Sequence, residues 1–210
     1  MAEKSQREYV IEQATEMFCT LGIKSVRMDD IASHLSISKR TLYEMFSDKE
    51  SLLRLCMQHY YDGMYAQLRE VGQKSSDLID CIMISLDLIL AHAETSRRLR
   101  LNLDKFYPEM AVEIGRSMEQ RSRNGLHSYI EKGIVEGIFN PKIDIELSVS
   151  ILHSSISGMF DHGRILLPEN RTPEEVFRYM IVNFFRGIST VKGVEMIDRW
   201  NDRRKHSLNN

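Results

Sequence analysis

The sequence predicts an all-α fold of about nine helices, arranged as a small N-terminal domain and a larger C-terminal bundle. Apolar residues recur with the helical period in almost every segment, and almost nowhere do they alternate as in a strand. The four prolines, Pro108, Pro141, Pro168 and Pro173, all fall between helical patterns, as expected for a residue that breaks helix interiors. No stretch approaches about 18 uncharged apolar residues, so no membrane span is expected.

The composition is that of an ordinary globular protein. Hydrophobic residues make up 42% of the chain and charged residues 28%, and the formal net charge is −2. Any contact with nucleic acid would therefore have to come from a local basic patch. Cys19, Cys56 and Cys81 each lie inside an apolar helical run, which indicates buried thiols in a reducing compartment. The N-terminal run is charged and has no apolar core of signal-peptide length, so we expect a cytoplasmic protein.

The first four predicted helices form the N-terminal domain, residues 1–50, and its connection to the bundle. The run "REYVIEQATEMFCTLG" places its apolar side chains on one face, and Gly22 is a suitable C-terminal stop. Two short helical patterns follow, separated by "LSIS". A connecting helix over residues 47–71 begins with Ser47 and Glu50, which have the spacing of a capping box.

A polar gap, "GQKSSD", separates the connecting helix from the bundle, which we predict to span residues 72–194. The first bundle helix, "LIDCIMISLDLILAHAE", is apolar nearly all round, which is typical of a buried helix. A second long helix opens at Pro108 and runs to about Val135. Residues 195–210 are polar and basic, and they are predicted to be a frayed tail.

Two further bundle helices are marked by their N-terminal caps. Asp144 precedes the apolar run "IELSVSILHSSISGMF" and suits its N-cap. Thr172 and Pro173 suit the cap and the first position of a helix over "TPEEVFRYMIVNFFRGISTVKG". Gly193 predicts the end of that helix.

The break at "LSIS" suits two helices packed at a steep angle, because the small Ala32 lies where they would approach each other. At about 100° per residue, Leu42 and Phe46 fall on one side of the second helix, and Arg40 and Glu44 point the other way. This outer face carries charges and hydroxyl groups. It is typical of a helix that reads the major groove of DNA in a helix-turn-helix.

The segment "LGIKSVRMDDIASHLSISKRTLYEMFSDKESLL", residues 21–53, resembles the DNA-binding domain of the TetR/AcrR (tetracycline-repressor-like) family of transcriptional regulators. The likeness rests on Gly22, Asp30-Ile31-Ala32, Ile37-Ser38, Thr41-Leu42-Tyr43, Phe46 and Lys49-Glu50. The resemblance implies a homodimer of nine-helix subunits. Each head would bind double-stranded DNA at a palindromic operator, and each body would bind a small-molecule effector. The family pattern places the dimer contact on the last two long helices of the bundle.

The resemblance, together with the outward direction of the side chains, also implies a set of DNA-binding residues. Lys39, Arg40 and Thr41 are expected to face the groove, and Tyr43 and Lys49 to bind phosphates. The whole predicted set is Arg27, Ser38, Lys39, Arg40, Thr41, Tyr43, Glu44 and Lys49.

Two residues depart from the family pattern. Ser36 stands where the family usually has glycine, and a left-handed backbone there would cost on the order of 1 kcal/mol. Arg27 stands where the family usually has threonine or serine, and arginine is a poor N-cap. We therefore expect Asp29 and Asp30 to supply the favourable charge at that helix end, while Arg27 could reach a phosphate.

Glu44 has three interpretations, because a carboxylate that faces DNA is repelled unless it has a partner. It accepts from a cytosine amino group, it holds the guanidinium of Arg40 one turn away, or it lies just outside the interface.

No catalytic motif, phosphate loop or zinc-ligand spacing occurs, so we expect no enzyme, cofactor or metal. His127 and Glu131 have ligand chemistry at i, i+4 spacing, but no further ligand converges on them in the sequence. The residues that would bind an effector are not identified by the sequence. The alternative function is a helical protein-interaction adaptor that retains the head but no longer binds DNA.

Overall fold

The computed structural model of the protein describes residues 5–162 and 169–208, apart from the side chains of residues 159–162 and 205–208. The described residues form nine helices and no strand, which confirms the predicted fold class. In chain order the helices are α1 Gln6–Leu21, α2 Met28–His34, α3 Lys39–Met45, α4 Lys49–Lys74, α5 Leu78–Phe106, α6 Pro108–Val135, α7 Ile145–His162, α8 Pro173–Ile188 and α9 Val191–Leu208. None of these helices is both long and apolar enough to cross a bilayer. The predicted helix boundary at Pro168 lies outside the described residues.

Several helix ends are fixed by the residues that the sequence indicated. Gly22 follows α1 with a φ of +86°, a backbone conformation that favours glycine. Asp144 accepts the N–H of Leu147 at 2.9 Å in the first turn of α7. Thr172 and Glu175 form a reciprocal capping box at α8.

The predicted cap of α4 is wrong by one residue. Asp48, not Ser47, accepts the N–H of Ser51 at 2.7 Å. Hydrogen bonds from the backbone and the hydroxyl of Ser51, and from the backbone of Glu50, lower the pKa of the Asp48 carboxyl. The Ser47 hydroxyl lies 3.0 Å from the Ser51 hydroxyl instead. Both residue types are good N-caps, so the sequence spacing alone did not distinguish them.

One compact unit contains the described residues up to Arg69 together with Glu94–Ser117. Its core therefore draws on two separate parts of the chain, because Leu99 and Leu103 near the end of α5 and Met110 at the start of α6 belong to the same buried cluster as the N-terminal helices. The cluster's other buried members are Val10, Ala14, Phe18, Ile23, Val26, Met28, Ile31, Ala32, Leu42, Phe46, Leu52, Leu53, Cys56 and Met57. This unit is larger than the N-terminal domain that the sequence suggests.

The thiols of this unit belong to its interior. Burial raises the pKa of Cys19 to about 11 and that of Cys56 to about 12. Thiols with raised pKa values carry little thiolate near neutral pH and are poor nucleophiles. Both side chains therefore act as small apolar groups in the packing.

The second unit contains Glu70–Ala93 and the described residues from Met118 onward. Its core is built mainly from α5, α7, α8 and α9, with the loop that follows α6. The buried members are Leu78, Ile79, Ile82, Met83, Leu86, Ile138, Phe139, Leu152, Phe177, Ile181, Phe185, Ile197 and Trp200. The rings of Phe139 and Phe185 stack within it at a centroid separation of 5.7 Å.

The helix predicted to run from Pro173 to Gly193 ends earlier, at Ile188, and α9 starts after a short extended link. The link pairs with the loop that follows α6. Asn140 donates its N–H to the carbonyl of Ile188 at 2.9 Å, and Thr190 donates its N–H to the carbonyl of Ile138 at 2.9 Å. These long-range backbone hydrogen bonds replace those of a continuing helix.

The polar C-terminal segment is helical in its described part, and the predicted frayed tail is wrong there. Ile197 and Trp200 on α9 are buried in the core of the second unit. The carboxylate of Asp87 accepts from Arg204 at 3.1 Å and also from Arg178. The high charge of the segment concealed its apolar positions, so composition gave the wrong result.

Gly133→Ala is expected to lower the free energy of unfolding by about 1–3 kcal/mol, as overpacking of a core does. A methyl group at Gly133 would lie 2.1 Å from the ring of Phe139, which is fully buried. Urea denaturation measures the change.

Gly125→Ala is the matched control in the same helix. Nothing lies within 4 Å of the added methyl group there, so the substitution is expected to raise the free energy of unfolding by about 1 kcal/mol. Equal effects of the two substitutions would contradict the contact between α6 and Phe139.

Candidate nucleic-acid interface

Helices α2 and α3 are joined by a tight turn centred on Ser36. Its φ of +54° puts this residue in the left-handed region, as the departure from the family's glycine suggested. Ser36 donates its N–H to the carbonyl of Ser33 at 3.2 Å, and Ile37 donates to the carbonyl of Ala32 at 3.0 Å. The turn therefore ends α2 and redirects the chain within four residues.

The inner face of α3 anchors the helix to the core of its unit. Leu42 and the following Phe46 are buried, as are Ile31 and Ala32 of α2. Met45 is half-buried against the same cluster. These contacts fix which side of α3 remains outside.

The outer face of α3 carries the polar residues that the sequence placed there. The side chain of Arg40 is 88% exposed and that of Glu44 is 61% exposed, and Tyr43 is also exposed. The Nε of Arg40 donates to Oε1 of Glu44 at 2.8 Å. Of the three interpretations of Glu44, the geometry matches the one in which its carboxylate holds the guanidinium of Arg40.

The first turn of α3 is organised by Ser38. As the N-cap, Ser38 accepts the N–H of Thr41 at 3.0 Å, and its hydroxyl lies 2.7 Å from the hydroxyl of Thr41. Both predicted DNA-binding hydroxyls are therefore engaged with each other in the free protein. In the protein without DNA, these hydroxyls stabilise the start of α3.

Lys39 is paired across the turn with a residue of α2. Its ammonium donates to Oδ2 of Asp29 at 2.5 Å, and both side chains are more than half exposed. Sequence reasoning assigned Asp29 only to the charge at the start of α2. No helical spacing rule relates two residues ten apart on different helices, so no local signal pointed to this pair.

At the start of α2, Arg27 is the N-cap and Asp30 supplies the hydrogen bond. The N–H of Arg27 donates to Oδ2 of Asp30 at 2.8 Å, so one of the two acids expected to supply favourable charge here also caps the helix by a hydrogen bond. Arg27 itself is exposed, beside the turn that leads into α2. Its guanidinium is thus available to an anion.

Lys49 is turned toward the protein interior. Its ammonium donates to the carbonyl of Ile23 at 2.5 Å and lies 5.8 Å from the ring centroid of Phe18. Partial burial lowers the pKa of this lysine, and the charge of Asp30 opposes that shift. The role of Lys49 as a phosphate ligand stays a prediction.

His127, the residue considered as a metal ligand, lies between two carboxylates. Its Nδ1 is 3.2 Å from Glu131 and its Nε2 is 3.3 Å from Glu146. The carboxylates therefore meet opposite edges of the ring and do not converge on one point. Over the described residues, no group of three or more metal-ligating side chains assembles.

Comparison with known proteins identifies the N-terminal segment. Residues 10–56 match the sequence model of the bacterial regulatory proteins of the tetR family. KstR2 of Mycobacterium tuberculosis, named an HTH-type transcriptional repressor, is 22% identical over 147 residues, which cover 68% of this chain and 74% of that protein.

Solved structures share the fold. A transcriptional regulator from Cytophaga hutchinsonii matches with a TM-score of 0.73 at 19% identity, covering 89% of this chain and 100% of that one. A transcriptional regulator from Saccharomonospora viridis, solved in complex with choline, matches with a TM-score of 0.69 at 17% identity, covering 88% and 97%.

Ser36→Gly is expected to raise the free energy of unfolding by about 0.5–1 kcal/mol, because glycine adopts the left-handed conformation without the clash of a Cβ atom. Thermal or chemical unfolding measures the change. The control is Ser33→Gly, three residues earlier inside α2, where glycine is expected to lower stability by about 0.5–1 kcal/mol. A loss of stability in both variants would show that the turn is not strained.

Proposed function

We propose that this transcriptional regulator of the TetR family, which carries a DNA-binding helix-turn-helix, is a homodimeric repressor that a small-molecule effector releases from a palindromic operator. One observation above all supports α3 as the helix that contacts the bases of DNA. A short helix is held from behind by Leu42 and Phe46 and presents Arg40, Tyr43 and Glu44 to solvent.

Helix α3 has suitable dimensions for the major groove. With its side chains an α-helix is about 10–12 Å in diameter, and the groove is about 12 Å wide. Arg40 reads the O6 and N7 atoms of a guanine with its fork, which Glu44 holds in position. Tyr43 donates to a phosphate, and Arg27 approaches the backbone beside the groove. Lys49 braces the start of α4 against Ile23.

The homodimer places two heads on half-sites one helical turn apart, about 34–36 Å. Exposed apolar residues support α7 and α8 as the contact. Leu147 and Ile151 lie one turn apart on α7, and Tyr179 on α8 is largely exposed. Large apolar side chains in such a row are typical of an interface between subunits.

The effector binds in the second unit and acts through its different affinities for two states of the dimer. Such coupling is typically about 1–3 kcal/mol. The interior of this unit is apolar except for a few groups, among them Ser85, Cys81 and the hydroxyl of Tyr129 near the Cys81 sulfur at 3.7 Å. A largely apolar effector with one or two polar groups suits such an interior. The relative from Saccharomonospora viridis holds choline, and this supports a small organic effector.

The decisive experiment is selection of duplexes from a random pool by the purified protein, followed by footprinting of the enriched sequence. Enrichment of an inverted repeat with half-sites one helical turn apart is the expected result. Failure to enrich any sequence would favour the adaptor function, in which the head is kept for protein contacts.

Arg40→Ala is expected to weaken binding to the selected site by about 1–3 kcal/mol and to relax preference at one base pair. The reason is that the exposed fork of Arg40 is the bidentate donor on α3. Fluorescence anisotropy on the selected duplex and its single-base variants measures both effects. Arg199→Ala on α9, which is also exposed, is the control and should leave affinity and preference unchanged.

Ile151→Glu is expected to shift the protein from dimer to monomer in analytical ultracentrifugation, because a charge would be buried in the proposed contact. Val112→Glu is the matched control. The exposed fractions of the two side chains are 49% and 53%, but Val112 lies on α6. Dissociation by both substitutions, or by neither, would contradict the assignment of the interface to α7 and α8.

A further inference from the structure

The two cations of α3, Lys39 and Arg40, are already paired with carboxylates of α2 and α3. Lys39 donates to Asp29 at 2.5 Å, and Arg40 donates to Glu44 at 2.8 Å. Each pair joins one positive and one negative charge, so the four groups together are neutral. All four side chains are more than half exposed. Neither pair is therefore required to neutralise a buried charge, and each contributes little to folding.

We propose that Asp29 is a specificity-determining residue. Its carboxylate competes with DNA phosphates for the ammonium of Lys39 and so disfavours binding to duplexes of arbitrary sequence. The inference rests on the proposed DNA-binding function and assigns a role to a carboxylate on the supporting helix.

On arbitrary DNA, affinity comes from lysines and arginines that neutralise phosphates and release counterions. Lys39 can add a counterion-releasing charge only by leaving Asp29, because the paired ammonium is already neutralised. The carboxylate would then stand unpaired beside a polyanion, and like charges repel. The pair thus lowers the affinity for every duplex at which Lys39 meets only phosphates. Repulsion of wrong partners is a known source of specificity.

On the operator the same pair persists. A lysine ammonium has three N–H donors, so Lys39 can keep its bond to Asp29 and donate to O6 and N7 of a guanine. In this state Asp29 fixes the direction of the ammonium, and its charge remains neutralised. Binding to arbitrary DNA therefore costs the Lys39–Asp29 pair and binding to the operator does not, so the pair favours the operator.

The neighbouring carboxylate separates this role from a structural one. Asp30 accepts the N–H of Arg27 at 2.8 Å and so serves the start of α2. The hydrogen bond of Asp29 goes to the other helix. Asp29→Asn and Asp30→Asn therefore remove the same charge one residue apart, and only the first releases Lys39.

The test measures the affinity of the full-length protein for a random-sequence duplex, and for the duplex that the wild-type protein selects, as a function of salt. For the random duplex, Asp29→Asn is expected to steepen the slope of log K against log salt by about 0.9, the value for one added phosphate contact. This corresponds to about 3.5-fold more loss of affinity between 50 and 200 mM salt. The ratio of selected to random affinity should fall.

Asp30→Asn is expected to leave the slope unchanged, and Asp29→Asn should have no effect on the slope when Lys39→Met is also present. Equal slopes for the two asparagine variants would overturn the proposal, and so would a steeper slope that persists with Lys39→Met. Asp29→Ser repeats the test should the asparagine variant fold poorly, since serine also suits the start of a helix. If the wild-type protein selects no sequence, the proposed function itself fails; if it selects one and all slopes agree, only the role of Asp29 is lost.

Discussion

The candidate interface depends on one backbone constraint, the left-handed conformation of Ser36. Without it α2 would continue, and the residues of α3 would take other faces of a single rod. The strain of about 1 kcal/mol at a non-glycine residue is small beside the burial of Leu42 and Phe46. Each such side chain contributes about 1.5–3 kcal/mol when fully buried. Packing therefore holds the turn in place, and the turn determines which residues are left to meet DNA.

Sequence reasoning succeeded where the determining signal is local. Gly22, Asp144 and Thr172 mark helix ends by chemistry that acts within one turn, and the helical period separates Leu42 from Arg40. These signals are read directly from residue type and spacing. They were enough for the all-α fold class and for the two faces of α3.

Contacts between residues that are distant in the chain were not foreseen from the sequence. The inward turn of Lys49 depends on the carbonyl of Ile23, 26 residues away, and the pairing of Lys39 depends on how α2 crosses α3. The helix α9 is held in place by the burial of Trp200 and by the hydrogen bond from Arg204 to Asp87 of α5. In each case a charged residue looked solvated by composition, because its partner becomes a neighbour only after folding.

The division into compact units also bears on how the binding of an effector could affect the position of α3. We proposed a body-bound effector, and the obvious connection is α4, which contributes residues to both units. Helices α5 and α6 do so as well. Leu99 and Leu103 near the end of α5 and Met110 at the start of α6 belong to the core that supports α3. Closely packed cores respond to changes as small as one methylene group, and such changes cost about 1 kcal/mol. The proposed coupling of about 1–3 kcal/mol is of the same size as the cost of such a small repacking.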